Sequence, residues 1–75
     1  MMRVKINLIT MGDAAKFAEI CSSFDESYDI KVKDNKGNVV NAKSVMGMLY
    51  SLEFSEIWCE SNKDIYSAIK RFAVE

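Results

Sequence analysis

The sequence contains no histidine and no proline, and its 75 residues include only three glycines, two cysteines and one tryptophan. The missing histidine excludes imidazole acid–base catalysis, imidazole metal ligation and phosphohistidine chemistry. No apolar run approaches the roughly 18 residues that a membrane-spanning helix needs, so we expect no membrane contact. Ten basic and eleven acidic residues give a net charge of −1, and no basic run stands out. We therefore expect no nucleic-acid partner.

The length allows one small domain over residues 1–75, with a marginal core. The first residues alternate briefly and then reach Gly12-Asp13, unlike the long apolar core of a secretory signal. Cys21 and Cys59 lack the CxxC spacing and the histidines of familiar zinc sites. We expect two reduced, buried thiols in a cytoplasmic protein, with no metal and no cofactor.

Two hydrophobic periods divide the chain into strands and helices. Alternation predicts strands over residues 3–9, 28–33, 39–40 and 54–60, and apolar spacings of three and four predict helices between and after them. Asp13 and Ser44 are the expected N-caps of the first two helices. The prediction is an α+β two-layer sandwich, in which three helices cover a four-stranded antiparallel sheet in the order βαββαβα.

Trp58 lies in the fourth predicted strand and faces away from Ile57 and Cys59. We expect it to be partly buried at a sheet edge or under a loop, and the alternative is an anchor for a partner. If the second strand lies at a sheet edge, it offers a place for subunits to pair, so we expect a monomer or a weak dimer.

Residues 40–48 read Val-Asn-Ala-Lys-Ser-Val-Met-Gly-Met. This segment resembles the regulatory-serine motif of the HPr family, roughly V-N-[AL]-K-S-[IV]-M-G-[VM]. These proteins are the small phosphocarriers of the bacterial sugar phosphotransferase system. The resemblance in length and element order extends from Arg3 to Phe72, with a shortened loop before Phe54, and implies an HPr-like fold.

The family carries phosphate on a histidine in a G-[IL]-H-A-R-P-[AS] segment at the start of its first helix. That phosphate comes from phosphoenolpyruvate through Enzyme I and passes to transporter components. Counting back from Phe24, which matches a family phenylalanine, Thr10 stands at the histidine and Gly12 at the arginine. Asp13 adds a carboxylate that would repel a phosphate by on the order of a few kcal/mol. We therefore expect no catalytic residue and no phosphocarrier activity.

Ser44 matches the family's regulatory serine, so the resemblance implies phosphorylation by a kinase similar to HPr kinase/phosphorylase. The alternative is that its hydroxyl only caps a helix. Val45, Met46 and Leu49 match an apolar patch that binds partners in the family, although core packing also explains apolar residues on a short helix. Lys43 offers a counter-charge for a phosphate, or is simply solvated.

Two functional hypotheses follow. The first is a regulatory or adaptor protein similar to the catabolite-repression HPr variants, which lack the histidine and keep the serine. Its partners would be the kinase, a transcriptional regulator or other components of the phosphotransferase system. The second is an interaction module that works without phosphorylation. We do not expect an enzyme, because the sequence has no glycine-rich phosphate loop and no clustered acids.

Overall fold

The computed structural model describes residues 1–74, which form four strands, three α-helices and two short 3-10 turns. The elements are β1 (Met2–Ile6), α1 (Met11–Ser22), β2 (Ile30–Asp34), β3 (Val39–Asn41), α2 (Val45–Tyr50), a 3-10 turn (Ser51–Glu53), β4 (Ile57–Ser61), α3 (Tyr66–Ile69) and a 3-10 turn (Lys70–Phe72).

The sheet is antiparallel throughout, with the strand order β1-β4-β2-β3. The predicted α+β sandwich and its order βαββαβα are therefore confirmed. Because β4 inserts between β1 and β2, the second strand lies inside the sheet. The condition for subunit pairing through this strand, a position at a sheet edge, is therefore not met, and a monomer or weak dimer stays a prediction.

Two strands are shorter than their hydrophobic pattern. β1 ends at Ile6, which forms a bridge with Ala73, and the N–H of Asn7 already donates to the carbonyl of Phe72 at 2.8 Å. β4 begins at Ile57, because the preceding chain first closes a 3-10 turn through the bond from Phe54 N to Ser51 O (3.0 Å). A contact distant in sequence thus sets the end of β1, and a local turn sets the start of β4.

The hydrophobic core lies between one face of the sheet and the helices. Phe17, Ile69 and Val32 are fully buried and represent α1, α3 and β2 in this layer. Cys21 of α1 and Cys59 of β4 are also fully buried as free thiols, as expected. Burial raises the pKa of each thiol to about 12. Both thiols are therefore protonated and shielded at neutral pH.

The turn between β2 and β3 is fixed by one carboxylate and one glycine. Asp34 accepts hydrogen bonds from the backbone N–H groups of Lys36 and Asn38, at 2.9 and 2.8 Å. Gly37 has φ of 93°, which a residue with a Cβ rarely adopts.

Within residues 1–74, no helix has the length and apolar character needed to cross a membrane.

Candidate functional site

Ser44 is the N-cap of α2, as expected. Its backbone is extended (φ −100°, ψ 120°), and its hydroxyl oxygen accepts a hydrogen bond from the N–H of Gly47 at 3.1 Å. Its carbonyl accepts from the N–H of Met48 at 2.9 Å and begins the helical ladder. The Ser44 hydroxyl therefore serves a backbone N–H group that would otherwise lack a partner.

The turn that leads into α2 is held from three sides. The side chain of Asn41 accepts from the N–H of Lys43 at 3.0 Å, and the Asn41 carbonyl accepts from the N–H of Ser44 at 3.0 Å. The Lys43 ammonium donates to the carbonyl of Asp25, just after α1, at 2.7 Å. Lys43 is thus a tether between two elements, so a phosphate on Ser44 would compete with Asp25 for its ammonium.

Gly47 is required by a close approach of the chain. A Cβ at this position would lie 3.2 Å from the carbonyl oxygen of Asn41 and 3.4 Å from the side chains of Ser44 and Val40. The first turn of α2 is therefore pressed against the end of β3. Two further members of the segment, Ala42 and Met48, are fully buried in the core.

Val45 and Met46 are the two apolar residues of the 40–48 segment whose side chains are exposed and do not pack in the core. Met46 is 82% exposed and Val45 is 48% exposed. Tyr50, four residues after Met46, is also exposed, so the two side chains lie on one face of α2. Leu49 instead is half-buried and packs against the core. The exposed apolar surface of α2 consists of Val45, Met46 and Tyr50, and we call it the α2 patch.

Tyr50 is not among the residues predicted for this surface. Its edge contact with Phe54, with ring centroids 5.6 Å apart, depends on the 3-10 turn that follows α2. A sequence pattern for helices does not reveal that turn, and an i, i+4 search from Met46 is the signal that would have found Tyr50.

Thr10, which the resemblance places at the family histidine, is the N-cap of α1. Its hydroxyl oxygen accepts from the N–H of Asp13 at 3.0 Å, and the carboxylate of Asp13 accepts from the N–H of Thr10 at 3.2 Å. This reciprocal pair is a capping box with Asp13 at its third helical position. The expectation that Asp13 caps the helix is therefore wrong, because the Thr10 hydroxyl takes the cap and admits Met11 and Gly12 to the helix.

The Asp13 carboxylate fills the place that a helix start offers to an anion. It accepts a second hydrogen bond, from the N–H of Ile9 at 3.0 Å. These backbone bonds, first that of Ile9 and then that of Thr10, hold the pKa of Asp13 below its usual value, and the charge of Arg71 adds to the effect. Gly12 supplies no guanidinium itself, and the cation near this helix start is Arg71, which lines the same cleft as Asp13. A Cβ at Gly12 would meet nothing closer than 3.6 Å.

The two helix starts lie at opposite ends of an antiparallel helix pair. Lys43, before α2, bonds to the chain just after α1, and Ser51 after α2 lines the same cleft as Leu8 before α1. Ile9 and Met11 beside the Thr10 cap are largely exposed, which the sequence pattern did not reveal. The structure therefore does not bring Thr10 and Ser44 into one site.

Among residues 1–74, no three His, Cys, Asp or Glu side chains come together in a group that could hold a metal ion. In comparisons with protein-family models and with curated proteins, the chain matches none. The resemblance to the HPr family therefore rests on the 40–48 segment and on the order of the elements.

Proposed function

We propose that this chain is an HPr-like regulatory or adaptor protein of the cytoplasm, controlled by phosphorylation of Ser44, that does not carry phosphate on a histidine. The observation that carries the proposal is the exposure of Val45 and Met46 directly after Ser44. Most of the motif is explained by folding, whereas these two apolar residues offer a surface to a partner.

The position of Ser44 suits a switch that acts through charge. A phosphate would add about −1.5 to −2 charges next to the α2 patch and could retain an oxygen near the N–H of Gly47. The chain would then keep its fold while its binding surface changes. A regulator that recognises the patch would thus distinguish the two forms.

The start of α1 supports the proposal that the chain does not act as a phosphocarrier. The Asp13 carboxylate takes the backbone N–H groups of Ile9 and Thr10, so an incoming phosphoryl group meets a negative charge there. A phosphothreonine at position 10 would be an ester, a poor donor compared with a phosphoramidate. We expect no labelling of the chain by phosphoenolpyruvate and Enzyme I.

The test uses ATP and an HPr kinase/phosphorylase, with authentic HPr as the positive control. We expect one phosphate per chain by mass spectrometry, on Ser44, and none on Ser44→Ala. Ser23→Ala is the matched control and should be phosphorylated like the wild type, because Ser23 lies in an exposed position at the end of α1. No phosphate on the wild type under conditions that modify authentic HPr would refute control at Ser44.

A second candidate function is an interaction module that needs no phosphorylation. It is favoured by the complete structural role of the Ser44 hydroxyl, which is half-buried and already caps α2. Once a partner is identified, Ser44→Asp separates the two candidates. An unchanged affinity supports the module, whereas a change of about tenfold or more supports the switch.

A further inference from the structure

The sheet face opposite the helices is basic, although the whole chain is slightly acidic. The strand residues that point to this face are the four cations Arg3, Lys5, Lys31 and Lys33, one carboxylate, Glu60, and the uncharged Trp58, Val39 and Asn41. Their formal charge is +3. Because the chain as a whole carries −1, the remaining residues carry −4. We call these eight residues the open sheet face.

The cations flank the central strand β4 in two rows across the sheet. In one row Glu60 lies between Arg3 and Lys31, and in the next Trp58 lies between Lys5 and Lys33. Neighbouring strands are about 4.8 Å apart, so the two columns of cations lie about 10 Å apart on either side of β4. Within a column the cations are two residues apart, or roughly 6.6 Å.

The cations are held on this face by partners that a ligand can replace. All four cations already pair with carboxylates: Arg3 and Lys33 with Glu60 at 3.1 and 2.9 Å, Lys5 with Glu56 at 3.3 Å, and Lys31 with Asp29 at 3.0 Å. Because Glu56 and Asp29 reach these cations from the chain just before β4 and β2, the local charge with both counted is +1. Lys33 and then Arg3 lower the pKa of Glu60. All four basic side chains remain between 39% and 58% exposed. Exposed ion pairs contribute little stability, so carboxylates of a partner compete for them at low cost.

We propose that the open sheet face binds an acidic protein segment in an extended conformation, with carboxylates on alternate residues. Such a segment repeats its acidic side chains at the same spacing as each column of cations. A cleft of about 350 Å³ at one end of this face is lined by Lys31 and Lys33, together with their carboxylate partners Asp29 and Glu60, which an acidic segment would displace. This proposal is independent of Ser44 and of the α2 patch, which belong to the opposite layer.

A single-stranded nucleic acid fits this face less well. Binding of that kind uses aromatic rings on which bases stack. Trp58 is the only aromatic residue among the eight, and its ring is already covered by the guanidinium of Arg3 at 4.8 Å and approached by the ammonium of Lys5 at 5.7 Å. A long polyanion would also extend beyond four cations onto a surface with a net charge of −4.

Trp58 is the only tryptophan in the chain, so its fluorescence reports binding without a label. The probe is a capped eight-residue peptide in which glutamate and serine alternate, and its control contains glutamine in place of glutamate. We expect a saturable change in Trp58 emission with the acidic peptide only. Affinity should fall at least about tenfold between low and near-molar salt, because the contact is between exposed charges.

Two variants of equal charge locate the site. Lys31→Glu with Lys33→Glu changes the face from +3 to −1, and we expect an affinity at least about tenfold lower. Lys16→Glu with Lys70→Glu alters the net charge equally in the helix layer and should stay within about twofold of the wild type. Lys31→Gln with Lys33→Gln, which adds no negative charge, should weaken binding at least about threefold and serves if the double glutamate variant does not fold.

Four results would overturn the proposal. They are a Trp58 signal that does not change, equal binding of the glutamine peptide, equal loss in the helix-layer control, and tighter binding of an eight-nucleotide oligothymidylate than of the acidic peptide. The last result would assign the face to nucleic acid. A fifth result that would overturn the proposal is binding of phosphatidylserine vesicles without binding of the peptide, which would assign the face to a membrane surface.

Discussion

The starts of α1 and α2 use the same device, a hydroxyl at the N-cap, yet they differ in what surrounds it. At α1 the Thr10 hydroxyl and the Asp13 carboxylate serve each other's backbone groups. At α2 the Ser44 hydroxyl has no acidic partner in the first turn. Exposed apolar residues lie beside both caps, Ile9 and Met11 at α1 and Val45 and Met46 at α2. The two helix starts therefore differ in charge, since α1 carries a carboxylate in its first turn and α2 carries none.

The largest effect should separate the buried and exposed methionines of α2. Met48→Ala removes a fully buried side chain, and we expect a loss of about 3 kcal/mol in the free energy of unfolding. Met46→Ala should change it by less than about 0.5 kcal/mol, because Met46 is mostly solvated. Urea denaturation followed by Trp58 fluorescence measures both. A large loss for Met46→Ala would show that the α2 patch is part of the fold.

The glycines of the two helix starts should respond in opposite directions. Gly47→Val places a branched side chain against the Asn41 carbonyl and should cost about 2 kcal/mol. Gly12→Ala meets no close neighbour and should stabilise the chain by about 0.5 kcal/mol, through the lower entropy of the unfolded state. Chemical denaturation of both variants tests this difference. Equal destabilisation by the two variants would show that the start of α1 is packed as tightly around Gly12 as the start of α2 is around Gly47.

The smallest effect should be a pH dependence present only at α1. The pKa of Asp13 is lower in the folded than in the unfolded chain, so its stabilising effect is complete above the unfolded pKa of about 3.9 and is lost as the pH falls through the folded value. We expect the stability difference between wild type and Asp13→Asn to shrink below about pH 4.

The pH dependence of Asp13→Asn can be compared directly with that of Ser44→Ala. Asp25, Asp34 and Glu60, whose pKa values are also lowered, are common to both chains and cancel in the difference. Ser44→Ala removes the cap of α2, where no acid stands in the first turn, so its stability deficit should stay constant over the same pH range. A deficit that varies with pH in Ser44→Ala, but not in Asp13→Asn, would contradict the assignment of the pH-dependent cap to α1.

The sequence was sufficient for the order of the elements and for the Ser44 cap, because hydrophobic period and N-cap chemistry are local properties. It was insufficient at Thr10, where threonine and aspartate compete for one cap and only the geometry of the reciprocal bonds decides. Tertiary packing also decides which apolar residues of α2 are exposed, since it places Val45 outward and Leu49 against the core.

The basic sheet face escaped prediction for a different reason. Arg3 and Lys5 alternate in one strand and Lys31 and Lys33 in another, some 28 residues away along the chain. Only the strand order β1-β4-β2-β3 places the two pairs on either side of Trp58. A search for runs of basic residues therefore finds nothing. Trp58 is partly buried, as expected, but it lies in the inner strand β4 and not at a sheet edge.

The two buried thiols can report local opening between the helix layer and the sheet. Cys21 belongs to α1 and Cys59 to β4, so both lie where the helix layer meets the sheet. While the layers are together, the thiols stay protonated and out of contact with solvent. An alkylating reagent can then reach the thiols only when the helix layer separates from the sheet. The rate of alkylation therefore measures how often this local opening occurs.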